Sequence, residues 1–185
     1  LASMAQFDDA AENVVVVDSI SKRFSACGAR VGILVSRNRE LMAQALKICQ
    51  GRLCAATLDQ LGAAALYGVG SDYFSAVREE YHRRRDTCME GLSQIPGVVC
   101  ECPKGAFYLM AKLPVDDTDK FQTWLLEEFQ DNGETVMFAP GEGFYGTPGK
   151  GRDEVRLAYI LKQADLRRAR EVLAHGIEAY NSRKL

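Results

Sequence analysis

Histidine is almost missing from this chain: there are two, His82 and His175, both in charged, helical surroundings. No cluster of His, Cys and carboxylate falls at metal-ligand spacing, which argues against a zinc centre. Excess charge of one sign is missing too. The 23 Lys and Arg against 25 Asp and Glu leave a net charge of -2, so there is neither a basic field for nucleic acid nor an acidic tail. No run of about eighteen apolar residues is present, which argues against a membrane-spanning helix. The N-terminus lacks the basic, apolar and small-residue regions of a signal peptide. Repeats and low-complexity segments are absent. The six cysteines (27, 49, 54, 88, 100 and 102) form no C-x-x-C pair. They read as reduced core or near-core residues of a cytoplasmic protein.

What is present suffices for one ordinary domain or two small ones: 185 residues, 47% of them hydrophobic. Asn13 to Asp18 reads as a buried strand, because four consecutive valines suit a parallel sheet covered on both faces. A loop follows, then a strand over Arg30 to Val35. Helices are expected from Asn38 to about Gln50 and from Thr57 to about Tyr67. Ser71-Asp72 caps a long helix that stops at Pro96-Gly97. Beyond it come strands over Val98 to Glu101 and Ala106 to Lys112, a helix from Asp117 to about Asn132, and strands over Thr135 to Phe138 and Glu154 to Ile160. A last helix runs from about Gln163 to Asn181. The pattern divides into 1–70, a linking helix over 71–96, and a small α/β unit over 97–185. The first part holds too few strands and helices to close a doubly wound sheet. The chain therefore reads as the C-terminal part of something larger.

The chemistry gathers around Lys22, in Ser19-Ile20-Ser21-Lys22-Arg23-Phe24-Ser25-Ala26-Cys27-Gly28-Ala29-Arg30-Val31-Gly32. A lysine at the end of a buried strand is out of place unless it is used. Taken singly, its neighbours are ordinary residues of a solvated connection. Together they offer an amine that can form an imine, with hydroxyl and guanidinium donors for a phosphate. An aldehyde cofactor bearing a phosphate needs that set, and pyridoxal phosphate is such a cofactor.

The same stretch resembles the lysine motif of class I/II aminotransferases, the fold type I pyridoxal-phosphate enzymes: S-x-S-K-x-F-x-x-x-G-x-R-x-G. Every fixed position is present. Pro103-Lys104-Gly105-Ala106-Phe107-Tyr108 is similar to that family's P-x-G-x-F-Y element. Ala139-Pro140-Gly141 through Phe144-Tyr145-Gly146 is similar to its P-G-x-x-F-G loop, and Val155-Arg156-Leu157-Ala158-Tyr159 to its v-R-l-x-y strand. The resemblance covers nearly the whole chain, and the aspartate aminotransferase-like subgroup is nearest. It implies an α/β fold: the end of a large-domain parallel sheet, a linking helix, and a small C-terminal domain.

The resemblance also implies roles. Lys22 would condense with the cofactor aldehyde and, once freed, carry a proton at the substrate α-carbon. Ser19 and Arg30 would hold the phosphate, and Arg156 would grip the substrate carboxylate as a bidentate fork. Lys22 is expected to be buried beside the Arg30 cation. The implied reaction moves an amino group between an amino acid, aspartate among the candidates, and a 2-oxo acid. The full-length protein would be a homodimer, and this chain alone would be inactive. A lyase or decarboxylase of the same fold would keep Lys22, Arg30 and Arg156, and the aminotransferase-like sensor domain of a transcription regulator is a further alternative. Gly141-Glu142-Gly143-Phe144-Tyr145-Gly146 is formally G-x-G-x-x-G, but Thr147-Pro148-Gly149 follows where a dinucleotide site needs a helix.

Overall fold

A computed structural model describes residues 3–183. Its contacts divide the chain after Ser71 into two compact units, each described by itself. No helix among the described residues is long and apolar enough to cross a membrane.

The first unit is built on a ribbon of two strands, β1 (Val15–Ser19) and β2 (Gly32–Ser36). They pair antiparallel, Val15 opposite Ser36 and Ser19 opposite Gly32. A parallel sheet was expected. The connection between the strands holds one helical turn, α1 (Ile20–Arg23), and one 3-10 turn, Cys27–Ala29. So short a link folds the chain back on itself instead of carrying it across a sheet. The valine run is not covered on both faces either: Val15 and Val17 are exposed. Two helices follow, α2 (Arg39–Arg52) and α3 (Thr57–Leu66). Asn38 starts α2 by accepting the Leu41 N–H at 2.9 Å, as an N-cap should. Buried apolar residues here are few: Ile20, Phe24, Val31 and Ala63.

The second unit has the larger core. The long helix α4 (Ser71–Ser93) leads into β3 (Val99–Cys100), β4 (Tyr108–Lys112), α5 (Thr118–Glu127), β5 (Ala139–Pro140), β6 (Glu154–Ala158) and α6 (Gln163–Ser182). The strands form one antiparallel sheet in the order β3-β4-β6-β5. Phe121, Trp124 and Leu125 of α5 meet Leu173, Ile177 and Tyr180 of α6 over Leu109, Ala111 and Val155 of the sheet. Gly176 makes that approach possible: a Cβ there would lie 2.8 Å from a Leu125 methyl.

The strand expected over Thr135 to Phe138 is not formed; the short β5 lies just after it. A side chain has taken the place of a neighbouring strand. Gln122 donates to the Val136 carbonyl at 3.4 Å and accepts from the Phe138 N–H at 2.7 Å. The cysteines are all free; Cys88 and Cys100 are half-buried against the core, as expected, but the other four (27, 49, 54 and 102) are exposed.

Candidate active site

Lys22 stands on a helical turn, not in a loop. Ser19 ends β1 in extended conformation and caps α1, its hydroxyl accepting from the Ser21 N–H at 3.1 Å. The turn is pinned by its two ends: Ile20 and Phe24, four residues apart, are buried on one side. The Phe24 ring meets Tyr67 of the same unit edge to face at 5.6 Å. Lys22, midway between the two anchors, is exposed. Burial of Lys22 was expected, and the structure differs because the turn buries Ile20 and Phe24 and leaves the residue between them exposed.

The other named residues of this unit lie at the same end of the ribbon. The Ser19 hydroxyl is 2.8 Å from that of Ser21 and 3.2 Å from the Val31 carbonyl. Arg30 is therefore one residue from a Ser19 partner. Its backbone is in the left-handed region at φ 56, an uncommon state for a side chain with a Cβ. Its guanidinium donates to the Cys27 carbonyl at 2.9 Å. Asp18 closes the turn from behind, accepting from the Ser19 N–H at 2.7 Å and from Arg23 at 2.9 Å. Serine hydroxyls and an arginine around one turn suit a phosphate, and a lysine on that turn suits an aldehyde. The residues present fit a pyridoxal-phosphate group. Among the described residues, no group of three His, Cys, Asp or Glu could hold a metal ion.

Arg156 belongs to the second unit. It sits mid-strand in β6, opposite Met110 of β4 and Ala139 of β5, and is half-buried. Its guanidinium carbon lies 4.6 Å from the Tyr108 ring centroid and 4.5 Å from that of Phe144. Among the described residues no carboxylate pairs with it. Both rings lie in segments legible as motifs, but their place beside the arginine was not legible there. Strand register could have suggested Tyr108, two positions from Met110 on the same face. An apolar cavity of about 260 Å³ lies elsewhere in this unit, lined by Leu92, Phe138, Leu157, Leu166 and Leu173 among others. Leu157 follows Arg156 in β6 and faces the opposite way, so the cavity is separate from the arginine.

Residues 2–173 match the model of the family described as aminotransferase class I and II. The chain belongs to that family. It is 30% identical to the aspartate aminotransferase of Bacillus subtilis over 97% of this chain and 45% of the relative. An aromatic aminotransferase from Pyrococcus horikoshii superposes with a TM-score of 0.79 at 25% identity, over 97% of this chain and 47% of the other. The α-aminoadipate aminotransferase of Thermus thermophilus, solved with N-(5'-phosphopyridoxyl)-L-leucine, shares the fold with a TM-score of 0.78 at 24% identity, over 91% and 43%. The chain thus spans less than half the length of these proteins. The architecture is α/β, as in these fold type I enzymes.

Proposed function

We propose that this chain is the C-terminal part of a pyridoxal-phosphate-dependent aminotransferase that moves an amino group between an amino acid and a 2-oxo acid. Aspartate is the favoured donor, since several relatives bear that name. Residues 1–70 close the cofactor-binding domain, the helix over 71–96 links, and 97–185 form the small domain. The working protein is a homodimer. Six free thiols suit a reducing compartment, the cytoplasm.

The observation that carries this reading is the Ser19-capped turn that presents Lys22 between two buried anchors. Bound there, the cofactor supplies an aldehyde for the amine and an electron sink for the substrate α-carbon. Lys22 Nζ would hold the cofactor and, when free, would take and return a proton at the substrate α-carbon. Ser19 and Ser21 Oγ–H and the Arg30 guanidinium bind the phosphate. The strained backbone at Arg30 supports this, because such conformations persist where a function over-determines them. Arg156 receives the substrate carboxylate, its donors being uncommitted to any carboxylate of the described residues.

The test uses the gene product at the length of its relatives. With cofactor, L-aspartate and 2-oxoglutarate, glutamate should form. Lys22→Ala should lower turnover by at least about a hundred- to ten-thousandfold, the share a positioned acid–base group supplies. Unchanged turnover in Lys22→Ala refutes the assignment.

A further inference from the structure

Arg156 could have been fixed by a protein carboxylate, the kind of partner a buried charge ordinarily takes. It is fixed by two rings instead. That choice matters, because a carboxylate occupies the N–H groups whereas an aromatic face attracts the cation and leaves them available.

Both rings are held in place by the structure around them. Phe144 ends a 3-10 turn, Glu142–Phe144, and remains 49% exposed. The turn is tied to β6: the Gly141 N–H donates to the Glu154 carbonyl at 2.7 Å. A Cβ at Gly141 would come within 2.6 Å of that same oxygen, so only glycine lets the turn sit so close. The next residue, Tyr145, donates its hydroxyl to the Glu154 carboxylate and packs its ring on Gly151. The Gly149 N–H donates to the Glu142 carboxylate at 2.9 Å. Tyr108 is supported from the other side. Its ring centroid is 4.5 Å from Phe107, Phe107 is 6.0 Å from Tyr81, and Tyr81 is 6.4 Å from Tyr159. Tyr159 is 2% exposed and donates its hydroxyl to the Ala106 carbonyl at 2.9 Å.

We propose that Phe144 and Tyr108 are positioning residues for Arg156, holding its guanidinium by cation–π contact so that its N–H edge stays open to a planar carboxylate. This rests on the carboxylate role given to Arg156 above. Leucine would fill the space of Phe144 without attracting the cation, and tyrosine would restore the attraction.

The experiment labels the chain with 15N-arginine and follows the Arg156 Nε–H resonance, assigned with Arg156→Lys, during titration with 2-oxoglutarate. The wild type and Phe144→Tyr should saturate at similar concentrations. Phe144→Leu and Tyr108→Leu should need about two- to thirtyfold more, the range of one cation–π contact. Phe144 is half-exposed, so its leucine variant should melt with the wild type. Leucine variants that titrate like the wild type overturn the role of the rings and leave the carboxylate role standing. An Arg156 resonance that never moves in the wild type overturns both.

Discussion

A guanidinium on a half-buried strand needs an anion or a π-face, and Arg156 has two π-faces and no described carboxylate. Losing a charged hydrogen-bonded contact costs about 1.5–3 kcal/mol. Arg156→Ala in the relatives-length protein should therefore raise KM for the 2-oxo acid about ten- to a hundredfold, measured by steady-state kinetics. Arg156→Lys should recover little of this, because an ammonium cannot form the planar fork. The thiols make a second case at this scale. Burial pushes the Cys88 thiol up to about 11, and Cys100 is raised for the same reason first. At mildly alkaline pH, iodoacetamide should modify Cys27, Cys49, Cys54 and Cys102 quickly and Cys88 slowly, as peptide mass spectrometry would report. Lys22 stood out by residue type and spacing, and Arg156 by the family resemblance of its strand. The exposure of Lys22 and the rings beside Arg156 were not legible, since neither follows from local pattern.

Elements with their own start signals were easiest to read. The helices expected from Asn38 and from Asp117 do begin there, and both residues prove to be caps, Asp117 accepting from the Lys120 N–H at 3.1 Å. Replacing Asp117 by Ala should lower stability by about 1 kcal/mol in a thermal melt. Gly176→Ala should cost about 1–3 kcal/mol, because the added methyl overpacks against Leu125. Sheet partners were harder, since pairing is decided away from the strand. The apolar character of Thr135 to Phe138 was visible, but the Gln122 amide that satisfies it lies in another element. The turn after α5 is tied to α6 in the same non-local way. Asp131 accepts from His175 at 2.8 Å and from Arg168 at 3.0 Å. The His175 hydrogen bond first, then Arg168, holds the Asp131 carboxyl below its ordinary range. Its lowered folded-state value means the tie is complete above the ordinary carboxylate pKa and is lost as pH falls through the folded one. The melting temperature should drop on acidification in that window, and Asp131→Asn should flatten the drop.

At the scale of the molecule, the fold was read from four motifs spread over nearly the whole chain, and the family match over residues 2–173 supports that reading. Direction of pairing in the first unit was not legible, because a valine run specifies burial and not orientation. The chain covers 45% of its Bacillus relative, and exposed Val17, Leu46, Ile48 and Leu58 mark the first unit as the less self-sufficient of the two. The reactivity of one amine on one turn can nonetheless be tested on the chain as it stands. Pyridoxal phosphate is added at a low molar ratio, borohydride reduces any imine, and the digest is mapped by mass spectrometry. The phosphopyridoxyl mass should appear at Lys22 ahead of every other lysine, and that label should fall markedly in Arg30→Ala. Label spread over the surface lysines, with Lys22 unmodified, would refute the role given to Lys22.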